Sequence, residues 1–357
     1  MISTELRKGF TTGTCAQAAT KGACIMLTQR KPIERVEVIT PSGARLSIGL
    51  IDQEIKDNFV KCAVVKDAGD DPDITNGVKI YAQVRFIDKE GVVIKGGEGV
   101  GKATKPGLAI GVGEWAINPT PRRMILEEAC KFLLREKRGL EVIISAAGGK
   151  ELAAMTFNPN LGIIGGISII GTTGIVEPKS LDAYKASLVL QLDVLKAQGY
   201  NKAVLVLGYV GEKFSHEKLK LKKNSLIKIG DHIGFMLEEC TKRSIGGVLL
   251  IGHLGKLIKI TNNQFNTHCS FGDGRLESIG RFAQSCGADK DLLEEILAQK
   301  TAEAAIPILR KAGLSEVFDL IAKDVTKKCE EFLNGKAGVN CILLSLNGEL
   351  LANTYES

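Results

Sequence analysis

Hydrophobic positions along the chain follow two rhythms. In the first third they form short runs rich in β-branched residues, several of them alternating with polar positions: RVEVIT (35–40), ARLSIGL (44–50), NFVKCAVVK (58–66), VKIYAQVRFI (78–87) and VVIKGG (92–97). Turn residues separate them, so they predict strands of an α+β sheet. Two segments carry helical spacing instead. In KGFTTGTCAQAATKGA (Lys8–Ala23) a threonine-glycine tetrad runs into a helix whose Ala16, Ala18, Ala19, Gly22 and Ala23 allow close packing. In Pro121–Lys137, Met124, Ile125, Ala129, Phe132 and Leu133 mark one face, with Pro121 suited to the first turn.

From about Gly139 the order becomes strand, glycine loop, helix. LEVIISA (140–146), GISII (166–170), AVLVLG (203–208) and GGVLLIG (246–252) each end in glycine-rich loops, and helices are expected at Leu181–Gln198 and Asp231–Thr241. Near-continuous apolar strands imply a mainly parallel sheet covered on both faces, with ligands beyond the carboxyl ends. Helices at Asp291–Gln299, Ala302–Ala312 and Ser315–Leu333 and a hairpin about Asn347-Gly348 complete the pattern. The expected organisation is an α+β N-terminal domain (1–137) joined to an α/β domain with a mainly parallel sheet (138–357), C-terminal helices and a strand.

Composition narrows the class. The chain has 357 residues, of which 44% are hydrophobic and 25% charged, as in a globular protein with ample core. No apolar run reaches membrane-spanning length, and MISTELRKGF lacks a signal core, so a cytoplasmic protein is expected. Nine scattered cysteines with no CxxC pair suit reduced, mostly buried thiols and no resident metal. A net charge of +6 suits a polyanionic small molecule, while 5% aromatics argue against a base-stacking nucleic-acid platform.

The candidate chemistry is dispersed. Thr11, Thr12, Gly13 and Thr14 either cap their own helix or present its N-terminus to a carboxylate. Gly96–Lys102 has the spacing of a phosphate loop, but Ala103 replaces the magnesium-binding hydroxyl and no helix follows; a glycine-rich ligand lip remains. The carboxylates of KDAGDDPD (66–73), Asp70 and Asp71 among them, either cap their own turn or hold ribose hydroxyls, take a proton or face a cation. Arg122 and Arg123 stand at a rigid helix entrance and suit fork-like binding of carboxylates. Among four histidines His253, at a strand end, is the best-placed general base.

LRKGFTTGTCAQAA (6–19), KDAGDDPDITNG (66–77), KPGLAIGVGEWAINPTPRRMI (105–125) and GIIGGISIIGTTGIVEP (162–178) together resemble the cobalt-precorrin-5B C1-methyltransferases of anaerobic cobalamin biosynthesis. The similarity follows the family's order over nearly the whole chain, most clearly over residues 6–210; the Lys213–Lys228 run and Asp231-His232 carry none of it. It implies a Rossmann-like second domain and transfer of a methyl group from S-adenosylmethionine to C1 of an anionic corrinoid, giving cobalt-precorrin-6A. Cobalt would enter only within the substrate. In that role Lys102, Lys105, Arg122, Arg123 and the Thr11–Thr14 helix start would bind the corrinoid's acetate and propionate arms. Gly171, Thr172, Thr173, Gly174 and Glu177 would face the donor, and Asp70 or Asp71 would take its ribose hydroxyls or balance its sulfonium. Further partners compatible with the sequence are a second copy of the chain or neighbouring pathway enzymes. The competing reading is a non-catalytic carrier of corrinoid intermediates, which predicts no affinity for S-adenosylmethionine.

Overall fold

A computed structural model describes residues 6–133, 138–222 and 225–355, which divide into two compact units, 1–184 and 185–357. In the first, β1 (Gly9–Phe10) leads into α1 (Thr12–Gln29). A two-stranded antiparallel ribbon, β2 (Arg35–Ile39) and β3 (Arg45–Gly49), is followed by β4 (Ile51–Ile55), β5 (Val60–Val65), β6 (Lys79–Ile87) and β7 (Val92–Gly96). Then come the short β8 (Gly99–Val100) and β9 (Lys102–Ala103), α2 (Pro119–Leu133) and β10 (Gly139–Ala146). The unit ends with α3 (Gly149–Ala153), α4 (Asn158–Leu161) and three two-residue strands, β11 (Ile163–Ile164), β12 (Gly166–Ile167) and β13 (Ile175–Val176).

Its main sheet has the order β4-β5-β6-β10-β7, antiparallel except for β10 with β7. Ile80, Ala82 and Val84 alternate inward from β6 and meet α1, whose Ala16, Ala19, Ala23 and Cys24 lie in the same core. Small side chains let this helix lie close to the strands. Across three adjacent strands, the buried Glu141 carboxylate of β10 accepts from Arg85 Nε of β6 at 2.5 Å and Lys95 Nζ of β7 at 2.6 Å.

The second unit alternates helix and strand: α5 (Leu181–Ala197, beginning just before the division), β14 (Lys202–Val206), α6 (Gly208–Glu217), β15 (Leu226–Lys228), α7 (Ile233–Lys242), β16 (Gly247–His253) and α8 (Leu254–Leu257). Two 3-10 turns lead to α9 (Arg275–Ser285), α10 (Lys290–Leu297), α11 (Ala302–Lys311), α12 (Glu316–Phe332) and the hairpin β17 (Gly338–Leu344) and β18 (Leu350–Asn353). The sheet order is β15-β14-β16-β17-β18, parallel up to the antiparallel last strand. Ile342 and Leu344 of β17 pack in one cluster with Phe214 of α6, whereas Cys341, one position before Ile342 and on the opposite face, lies near Cys329 of α12. Helices therefore cover both faces.

Three expectations are corrected. LEVIISA is a strand of the first unit's mixed sheet, so the division falls at 184/185 rather than after 137. A continuous apolar run marks a strand buried on both faces whichever way its neighbours point. GISII supplies only the two-residue β12, parallel to β8, because glycine-rich chain on either side offers no longer ladder. The four glycine-ended strands thus do not share one edge; only β14 and β16 do. β4, α6 and α9 escaped the sequence reading. The last four residues of the helix expected over Pro121–Lys137, and Lys223 within the lysine run, lie outside the described residues.

Arg85 and Lys95 hold the Glu141 carboxyl below the usual carboxylate range, chiefly by their hydrogen bonds, which outweigh the opposing effect of burial, with their charges adding least. A depressed carboxyl pKa stabilises the fold above the unfolded value near ~4.3 and loses that contribution as pH falls through the folded value. Glu141→Gln is expected to lower the urea midpoint at pH 7, and the gap to the unsubstituted protein should close only as pH falls from the unfolded value through the lowered folded one.

Candidate functional site

The start of α1 is closed by the protein's own chain. Thr11 caps the helix by accepting from Thr14 N at 3.2 Å. Gly13 N donates to Ile170 O at 2.9 Å, Thr14 Oγ1 donates to Gly174 O at 2.7 Å, and Thr12 Oγ1 accepts from Ile170 N at 2.9 Å. All four residues of the tetrad are buried. The Thr11 side chain fills the space a Cβ on Gly171 would need, and Thr40 and Thr14 do the same at Gly174. Those glycines admit threonines, not a ligand. The Thr11–Thr14 start is thus occupied by the protein's own chain and the Cβ sides of Gly171 and Gly174 by threonines, whereas Thr172, Thr173 and Glu177 are exposed.

The acidic loop is engaged in the same way. Asp67 takes a two-pronged ion pair from Arg7 at 2.5 and 2.9 Å, whose hydrogen bonds hold its carboxyl below the usual range. Asp70 Oδ2 accepts from Arg7 N at 2.7 Å and Asp71 Oδ2 from Lys179 N at 2.9 Å. Asp73 neutralises Lys66, which is 2% exposed, at 2.6 Å. Glu177 pairs with Lys8 at 2.8 Å. Asp70 and Asp71 each have one carboxylate oxygen engaged by a backbone donor of another segment.

Open space lies elsewhere in this unit. A cavity of about 620 Å³ is lined by the Gly97–Val100 lip, Lys102, Trp115, the Gly148–Glu151 turn, Ile164 and Gly165. Backbones converge there: Gly99 sits at φ +74° with the Ala146 carbonyl where a Cβ would go, and its own main chain stands against Gly149 and Gly166. Lys102 Nζ lies 4.2 Å above the Trp115 ring centre, and Lys102 and Lys150 are exposed. Ile164, 60% exposed, adds an apolar wall. The arrangement offers a flat, partly apolar bed with ammonium groups at its margin.

The other predicted cations go to different places. Lys105 is half-buried along Gly162, which lowers its pKa, with Nζ 3.5 Å from Asn160 O. Arg123 lines a second cavity of about 640 Å³ beside Lys21, Arg45, Glu128 and Lys131, where Gln17 Oε1 is buried without a partner; Arg122 lines neither cavity.

His253 belongs to the second unit, at the carboxyl end of β16. Burial, then Lys256 and Arg275, push its pKa down to about 4, and its Nδ1 is buried without a partner. It is a neutral imidazole at physiological pH. Among the described residues no group of three or more His, Cys, Asp or Glu gathers as a metal site, and no helix is long and apolar enough to cross a membrane. The sequence reading missed Trp115, Lys150 and Ile164 because their convergence depends on two-residue bridges; the Gly96–Lys102 lip was the one visible signal.

Comparisons with known proteins agree along the chain. The CbiD family profile matches residues 2–178, and that of the CbiD C-terminal domain matches residues 266–355. A protein of Thermoanaerobacter sp. (strain X514) named cobalt-precorrin-5B C(1)-methyltransferase is 42% identical over 99% of this chain and 96% of its own length. Proteins of the same name from Alkaliphilus metalliredigens and Methanocaldococcus jannaschii are 40% and 41% identical, over 99% and 97% of this chain and 93% and 95% of their own. The crystal structure of a cobalamin biosynthesis protein (cbiD) from Archaeoglobus fulgidus is 29% identical, covering 77% of this chain and 84% of that one with a TM-score of 0.39.

Two outcomes are expected from this geometry. Gly99→Ala forces a left-handed backbone on alanine and drives a methyl into the Ala146 carbonyl, costing on the order of 3 kcal/mol, read as a lower denaturant midpoint. In an NMR titration the His253 ring is expected to change near pH 4. Its folded pKa lies below the unfolded one, so stability is lost as pH falls from about 6.5 toward 4. The urea midpoint should fall more over that window for the unsubstituted protein than for His253→Gln.

Proposed function

Because the chain belongs to the CbiD family, we infer that it transfers a methyl group from S-adenosylmethionine to C1 of cobalt-precorrin-5B, yielding cobalt-precorrin-6A. The observation that carries this is identity of 40% or more to proteins of that name along 97–99% of the chain. In the transfer, an electron pair of the corrinoid carbon forms the new C–CH₃ bond while the C–S bond breaks and its pair stays on sulfur. The sulfonium leaves as a neutral thioether, so the enzyme needs alignment more than a covalent nucleophile.

The first unit's glycine-lined cavity is the bed for the corrinoid in this reading. Trp115 and Ile164 meet its apolar body, and Lys102 and Lys150 pair with carboxylate arms. The bed's glycines admit a flat macrocycle close to the main chain. The second unit is Rossmann-like in this reading, supported by its four parallel strands with helices on both faces.

Anaerobic incubation with methyl-labelled S-adenosylmethionine and cobalt-precorrin-5B, followed by mass spectrometry, is expected to give one labelled methyl at C1. Tight corrinoid binding without transfer would instead establish a carrier. Lys102→Ala is expected to raise the corrinoid KM about fivefold, the loss of one accessible ion pair of roughly 1 kcal/mol, with the donor KM unchanged.

A further inference from the structure

The carboxyl edge of the second unit's sheet carries features that neither the cavity nor the corrinoid chemistry uses. β14 is first in sequence among the parallel strands, β15 lies on one side of it and β16 on the other. Connections from neighbouring strands therefore diverge at β14, which is where open α/β sheets form their ligand crevice. The register is set by hydrogen bonds: Ile229 N donates to Val206 O at 3.0 Å and Leu207 N to Ile251 O at 2.9 Å. The Gly208 turn after β14 thus stands between Gly230-Asp231 after β15 and Gly252-His253 at the end of β16.

Gly208 has φ +70°, and nothing lies within 4 Å of where its Cβ would be. With Gly211 it makes a Gly-Tyr-Val-Gly turn opening α6. Asp231 follows at the end of the second strand, about 20 residues on, the place from which an acidic residue reaches a ribose in doubly wound sheets. Both hydrogen bonds to its carboxylate, from Lys256 Nζ and from Thr267 Oγ1 at 2.7 Å, fall on Oδ1. They fix the group and leave Oδ2 without a hydrogen bond among the described residues. On the other side of the turn, the buried Nδ1 of His253 has no partner.

We propose that this edge holds the adenosyl half of the methyl donor, the Gly208–Gly211 turn lying under the nucleoside and Asp231 Oδ2 accepting from a ribose hydroxyl. The inference rests on the methyltransferase reading and moves the donor away from Gly171–Gly174, where threonines fill the space.

The test is isothermal titration of the full chain with S-adenosylhomocysteine and its 2′-deoxy and 3′-deoxy counterparts. Asp231→Asn is expected to weaken S-adenosylhomocysteine binding about tenfold, as loss of a hydrogen bond to a charged group does, and to abolish the preference for the intact ribose. Unchanged affinity and preference in this variant would overturn the inference. Hydrogen exchange on the unsubstituted protein gives a reading independent of the variant's folding: S-adenosylhomocysteine should protect 208–211 and 230–231, and protection confined to 171–177 would overturn it. Methyl transfer measured alongside separates the two failures. Transfer by a protein whose Asp231→Asn variant binds normally leaves the activity standing and removes this site; absence of both binding and transfer in the unsubstituted protein removes both.

Discussion

A buried helix start must find partners for its amide donors, and in this chain those partners come from a segment far along the sequence. Thr11 caps α1 locally, but Gly13 N, Thr12 and Thr14 reach Ile170 and Gly174. That bonding fixes where residues 168–176 run, and hence where β12 and β13 pair with β8 and β1. β8 in turn lies in the lip of the glycine-lined cavity. The threonines act on the site at one remove: they anchor the chain that shapes it.

Charge in the first unit follows the same logic. Asp67, Asp70, Asp71 and Asp73 read as a reactive cluster when seen in sequence, yet the first three meet a cation or an amide from another segment and Asp73 meets Lys66 of the same loop. A carboxylate so engaged fastens loops that carry no regular structure. Lys66 shows why the loop needs its acids, since a buried ammonium is costly unless paired.

Much of the fold was legible because it is local. The Thr11 cap, the small face of α1, the hairpin about Asn347-Gly348 and β5, β6, β14 and β16 follow from spacing and turn residues. What failed was membership. LEVIISA reads as a buried strand, and nothing within seven residues says that its neighbours are β6 and β7 rather than β14. IDQEI of β4 lacks alternation and drew no notice. At the site the Gly96–Lys102 lip was visible as a glycine run, but Trp115, Ile164 and Gly148–Glu151 join it through contacts between distant segments. Asp231 stood in a stretch without family resemblance, and only the strand order gives its position meaning.

The bond between Thr14 and Gly174 spans 160 positions. A chain emerging from the ribosome at about 5–20 residues per second makes α1 almost at once, then waits on the order of ten seconds for the segment that completes its first turn. Until then the tetrad's hydroxyls and amides must be met by water, and the small-residue face of α1 has only part of its cover. First-unit folding is therefore closed by its last segment.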